Sequence, residues 1–111
     1  MKYNMHLAEK NFYMIKSGTQ NIEMRLYDEK RSKIQKGDII EFSNKETGQN
    51  IDTEVVDIHK FKNFAELYKS FDKARLGYYE NEEAKAEDML QFYSPEEVEK
   101  YGVVGIEIKS L

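Results

Sequence analysis

Glu23 and Arg25 stand two residues apart in Ser17-Gly18-Thr19-Gln20-Asn21-Ile22-Glu23-Met24-Arg25-Leu26. Ile22, Met24 and Leu26 alternate there with Asn21, Glu23 and Arg25, so the segment reads as a strand whose acid and base leave one face together. Two chemistries suit such a pair. The carboxylate can accept from an amine while the guanidinium donates to a base edge or a phosphate. Alternatively, the carboxylate acts as a general base and the cation stabilises developing charge. A third reading is a solvated pair on a charged strand face, contributing about 0–1 kcal/mol and no function. Periodicity alone leaves all three open.

Elsewhere the residues are less pointed. His6 and His59 are the only histidines, each beside strand-like apolar residues, and no metal-ligand spacing accompanies them, so they read as structural and no metal is expected. The chain has no cysteine nucleophile, no glycine-rich phosphate loop and no nucleophile elbow, and no cofactor is implied. Tyr68, Tyr78, Tyr79, Phe92, Tyr93 and Tyr101 crowd the second half near Arg75 and Gln91. Such rings stack bases when exposed and otherwise pack helices on a sheet. Tyr78, Tyr79 and Tyr93 are the better candidates for exposure.

The elements that must position these groups are interleaved along one domain spanning residues 1–111. Tyr3, Met5 and Leu7 alternate as an opening strand, and Ala8, Phe12 and Ile15 recur at helical spacing before Gly18, a natural C-terminal cap. Lys36-Gly37-Asp38 turns into the strand Ile39-Ile40-Glu41-Phe42, a hairpin loop follows at 44–50, and 51–58 returns as a β-branched strand. Asn63 and Glu66 mark a helix start, 82–92 reads as a further helix, and Ser94-Pro95-Glu96-Glu97 opens another. Val103 to Ile108 closes the chain as a strand. Strands with helices inserted between them suggest an α+β domain built on a small curved sheet or barrel.

Composition narrows the partners. Net charge is −4, from 21 acids against 17 bases, so gripping a long duplex through its phosphates is disfavoured. Lys30, Arg31, Lys33 and Lys36 form a local basic cluster, and Glu80, Glu82, Glu83, Glu87 and Asp88 an acidic stretch. Nowhere does an apolar run approach the roughly 18 residues of a membrane span, so no membrane association is expected. Zero cysteines and no signal-type start point to a cytoplasmic protein.

Gly18-Thr19-Gln20-Asn21-Ile22-Glu23-Met24-Arg25 resembles the GxKxxExR signature of the ASCH domain, within the PUA-like superfamily. Ile34-Gln35-Lys36-Gly37-Asp38-Ile39-Ile40-Glu41-Phe42 is similar to the segment that follows it in such proteins. Phe92-Tyr93-Ser94, then Lys100-Tyr101-Gly102-Val103-Val104-Gly105-Ile106-Glu107-Ile108, resembles their closing helix and strand. The resemblance implies a PUA-like α+β fold, a small β-barrel of about five to six strands with peripheral helices around a polar cleft. It implies RNA or a nucleotide-like small molecule as ligand, with Gly18, Glu23 and Arg25 matching the signature's glycine, acid and base. Gln20 stands at the family's lysine position. Certain small relatives resemble amidohydrolases of acetylated cytidine, in which that lysine helps activate a threonine. Here Glu23 takes the nucleophile position, and a neutral glutamine is no base, which argues against carrying that mechanism over. Glu80 lies roughly where those enzymes keep an acid.

The expected ligand-binding set is therefore Gly18, Gln20, Asn21, Glu23 and Arg25, with Lys30 and Arg31 for phosphate and Tyr93 for stacking. The alternative is a hydrolase of an acylated or modified nucleoside or of RNA, an amidohydrolase or ribonuclease with Glu23 or Glu80 as catalytic base. A second alternative is a protein-interaction module in which the 80–88 stretch meets a protein partner.

Overall fold

Alternating apolar residues build five strands, and in the computed structural model, which describes residues 1–111, these form a single mixed sheet. The strands are β1 (Lys2–Leu7), β2 (Ile22–Leu26), β3 (Ile39–Asn44), β4 (Asn50–Phe61) and β5 (Val103–Ser110). Their order is β1-β3-β4-β5-β2, with β1 and β3 parallel and the other neighbours antiparallel. The sheet curls into a half-barrel with β1 and β2 as its two open edges. Helix α1 (Glu9–Ser17) joins those edges. It ends at Gly18, whose φ of 86° is left-handed and costs a glycine nothing.

Two apolar clusters lie on opposite faces of the sheet. Inside the curl, Met5, Leu7, Ile40, Phe42, Val55, Val104, Ile106 and Ile108 pack with Phe12 and Ile15 of α1 and with Ile34. On the outer face, Ile22, Leu26 and Val103 meet Phe64 and Leu67 of α3 (Phe64–Ser70), together with Leu76 and Met89. A register shift between Val55 and Asp57 bends the long strand β4 to follow the curl and leaves Val56 exposed. No helix is long and apolar enough to cross a membrane.

Capping chemistry sets the shorter elements. Asp28 accepts from the Arg31 amide at the start of α2 (Glu29–Ser32), and Asn63 accepts from the Glu66 amide at the start of α3. Ser94 and Glu97 form a reciprocal capping box, with Pro95 in the first turn, at the start of α4 (Pro95–Tyr101).

The helix expected over 82–92 is not there. Only a 3₁₀ turn at Ala86–Gln91 forms, and the residues before it make a clasped loop. The Lys73 ammonium donates to the Glu80 and Glu82 carbonyls at 2.7 and 2.6 Å. The Glu82 carboxylate accepts from the Lys10 ammonium and the Tyr79 amide, both at 2.6 Å. These bonds claim the Glu82 carbonyl, which a helix over 82–92 would need for its own ladder, and fix the chain just before it, so good helix formers in the segment are overruled.

Candidate functional site

Because the sheet curls, the two faces of β2 have different fates. Ile22 and Leu26 join the outer cluster, with Met24 packed against it, while the opposite face carrying Glu23 and Arg25 turns toward the mouth of the half-barrel. Glu23 is therefore buried, at 6% exposure, which no solvated surface pair would show. Arg25 donates to one Glu23 oxygen, Oε2, through Nε at 3.2 Å and Nη2 at 2.8 Å. Nη2 also reaches the His6 carbonyl on β1 at 3.5 Å, a long contact that spans the two open edges. Burial works against the Arg25 charge, but Glu23 offsets this and holds the guanidinium above its ordinary pKa. The other Glu23 oxygen and Arg25 Nη1 are left with hydrogen-bonding capacity to spare.

A cavity of about 200 Å³ opens over this pair. One wall is the end of β1 with the first turns of α1, namely His6, Leu7, Ala8 and Asn11. Gln20, Glu23, Met24 and Arg25 form the facing wall. Leu76, Met89, Phe92 and Tyr93 close one side, and Lys45 of the β3–β4 turn stands at the other. Burial raises the Tyr93 phenol above its ordinary pKa, and the phenol lies within electrostatic reach of both Arg25 and Glu23.

Gln20, at 3% exposure, is locked in place. Its carbonyl oxygen accepts from Asn11 Nδ2 at 3.0 Å and its amide nitrogen donates to the Ile22 carbonyl at 3.3 Å. Gly77 makes room for it: a Cβ there would lie 2.6 Å from Gln20 Oε1, on a backbone with φ of 99°. The family's lysine position thus carries a neutral amide that ties α1 to β2 and faces the cavity.

Of the expected ligand-binding set, Gln20, Glu23, Arg25 and Tyr93 meet in this cavity, and Gly18, Asn21, Lys30 and Arg31 do not line it. Gly18 is an exposed helix cap. The Asn21 side chain accepts from Arg75 Nε at 2.9 Å instead. Lys30 is exposed on α2, and Arg31 pairs with Asp28 at 3.1 Å. Glu80 sits in the clasped loop, where its carbonyl holds Lys73. Two of the five acids in the acidic stretch have side chains hydrogen-bonded locally: Glu82 holds Lys10 and Tyr79, and Asp88 accepts from the Tyr78 hydroxyl at 2.8 Å. Tyr78 in turn shares a hydrogen bond with Tyr68.

The structure adds Phe92, Lys45 and His6. Tyr93 has one ring face stacked on Phe64, centroids 6.0 Å apart and planes 17° off parallel, whereas Phe92 is 68% exposed at the cavity mouth and is the freer platform. The sequence placed Phe92 in the aromatic cluster of the second half but favoured Tyr78, Tyr79 and Tyr93 for exposure. Nothing in a hairpin loop marks Lys45. His6 reads as a structural histidine from its alternation with Met5 and Leu7, which is also why it projects from the opposite face of β1. His59 meets Glu107 at 2.9 Å, away from the cavity. No group of three His, Asp or Glu side chains is placed to hold a metal ion.

The comparisons with known proteins agree with this architecture. A search of curated proteins finds no match. The crystal structure of hypothetical protein PH0355 is similar at 37% identity and a TM-score of 0.80, covering 100% of both chains. Protein PF0455 from Pyrococcus furiosus, solved by solution NMR, is similar at 35% identity and a TM-score of 0.72, over 100% of this chain and 98% of that one. The crystal structure of an ASCH domain from Lactobacillus crispatus shares the fold at a TM-score of 0.68 and 14% identity, covering 98% of this chain and 79% of its own. The ASCH domain family model matches residues 5–111, and the chain belongs to the ASCH domain family.

Proposed function

We propose that this ASCH domain binds single-stranded RNA or a nucleotide by taking one base into the cavity over Glu23 and Arg25. The observation that carries the reading is the buried pair itself. Its two members are fixed by each other, yet the free Glu23 oxygen is an acceptor and Arg25 keeps a donor, side by side at the mouth of a half-barrel. A base edge that presents an amine next to a ring nitrogen or carbonyl answers that pattern. Phe92 and Tyr93 provide ring surface at the same mouth, which favours unpaired bases over a duplex. The cavity is smaller than the usual ligand pocket, so a single ring enters and sugar and phosphate stay at the rim.

Binding ranks above hydrolysis on the state of the polar groups. Gln20 cannot take a proton, Glu23 is tied to Arg25, and Glu80 lies outside the cavity. The test is a thermal-shift screen against nucleosides, nucleotides and short single-stranded RNAs, repeated with Glu23→Gln and Arg25→Ala. Each protein is referred to its own unliganded midpoint, because binding to the folded state raises that midpoint by mass action. A rise in the wild type that both variants lose is the expected result. An equal rise in all three would place the ligand elsewhere.

A further inference from the structure

Glu23 and Arg25 neutralise one another, which leaves one uncompensated cation among the cavity's charged residues. Lys45 is exposed at the rim, and no carboxylate stands within ion-pair distance of its ammonium. Its backbone is nevertheless well fixed. The Lys45 amide donates to the Leu7 carbonyl at 2.9 Å, pinning the hairpin to the end of β1. The Asn44 side chain accepts from the Glu46 amide at 2.8 Å, and the Gly48 amide closes onto the Asn44 carbonyl at 2.9 Å. A hydrogen-bonded turn therefore presents an exposed ammonium at a cavity whose inner charges cancel, on a chain whose net charge is −4.

The basic cluster that the sequence suggested for phosphate does not line the cavity, although Arg31 lies within electrostatic reach of Tyr93. Arg31 is held by Asp28, and Lys30 does not line the cavity. About 200 Å³ accommodates a base but not the rest of a nucleotide, so any phosphate must lie at the rim, where Lys45 stands.

We propose that Lys45 is a specificity residue that contacts the phosphate of a ligand whose base sits over Glu23 and Arg25, so that the site takes phosphorylated nucleotides in preference to nucleosides. This assignment rests on the base-binding reading of the cavity. A lysine serves here as a point charge on a flexible stem and tolerates a range of phosphate positions. A free nucleotide and a nucleotide within a strand present the same chemistry to it.

The experiment measures affinities by calorimetry for the nucleosides, their 5′- and 3′-monophosphates and a short single-stranded trinucleotide. It compares the wild type with Lys45→Gln and Lys45→Arg. One charge-assisted contact at an exposed rim corresponds to about a tenfold preference for monophosphate over nucleoside at low salt, declining as salt rises. That ratio is expected to fall to about one in Lys45→Gln and to persist in Lys45→Arg. Preference for one monophosphate isomer over the trinucleotide identifies a free nucleotide or strand end, and the reverse identifies an internal phosphate. A wild-type ratio near one, or a ratio that survives Lys45→Gln, overturns the assignment. So does a Lys45→Gln protein that loses nucleoside and monophosphate alike. Wild type that binds none of these probes overturns the base-binding reading, and the role of Lys45 falls with it.

Discussion

Replacing Arg25 by alanine leaves the Glu23 carboxylate buried without the two donors that hold it. Side-chain exposure is 8% for Glu23 and 19% for Arg25, so the pair lies between two regimes. Exposed pairs contribute about 0–1 kcal/mol, and removing one partner of a fully buried pair costs about 3–5 kcal/mol. The expected loss at about pH 7 is roughly 2–3 kcal/mol. A stranded carboxylate can also escape by taking a proton, which caps the electrostatic cost. For an ordinary glutamate this escape costs about 1.4 kcal/mol per pH unit, hence roughly 4 kcal/mol at about pH 7 and roughly 1 kcal/mol at about pH 5. The folded variant then binds a proton that the unfolded chain does not, so its stability relative to wild type falls as pH rises through this window. Urea denaturation of both proteins at the two pH values is the assay. The deficit of Arg25→Ala is expected to be larger by about 1–2 kcal/mol at the higher pH. A deficit equal at both values, or below about 0.5 kcal/mol throughout, would show that Glu23 is not a stranded buried charge.

Three further perturbations test the surroundings. Gly77→Ala forces a Cβ to within 2.6 Å of Gln20 Oε1 and 2.7 Å of Asn11 Nδ2. With the left-handed backbone added, it should lower stability by roughly 1–3 kcal/mol, read by chemical denaturation. Ser94→Ala removes the capping box of α4 and should cost about 1 kcal/mol in the same assay, without changing ligand binding. Lys10 and the Tyr79 amide hold the Glu82 carboxyl below its ordinary pKa, so its stabilising effect is present above the usual carboxylate range and is lost as pH falls through the depressed value. Glu82→Gln should accordingly be less stable than wild type at about pH 7 and should converge with it only as pH falls below that depressed value. A gap that persists in acid would assign the effect to something other than the charge.

The ladder of elements was readable where one residue type answers one local need. The Ser94 box, the Asn63 cap and the Gly18 terminus each satisfy orphan backbone groups at a helix end, and all three stand where the residues indicate. Strand β2 was readable from alternation, but the burial of its polar face was not. Whether Glu23 meets water or interior depends on the curl of a sheet assembled from strands up to residue 110. The 82–92 segment misled because its alanines, glutamates and leucine favour a helix, while Lys10 and Lys73, distant in sequence, claim the groups that decide its shape. Phe92 was one of six clustered aromatics with nothing local to set it apart, and Lys45 carries no local signature at all. They line the cavity only because the fold brings the β3–β4 turn and the end of the 3₁₀ turn to it.

On the function proposed above, the cavity between the two open edges receives the base of an RNA or nucleotide ligand. Titration of the isotopically labelled protein with a short single-stranded RNA, followed by amide and side-chain NMR shifts, tests it most directly. The largest changes are expected at Gln20, Met24, the Arg25 guanidinium and Phe92, with saturation. Changes concentrated instead in the groove between α3 and α4, around Phe64, Leu90 and Val98, would contradict it, as would a spectrum that RNA leaves unmoved.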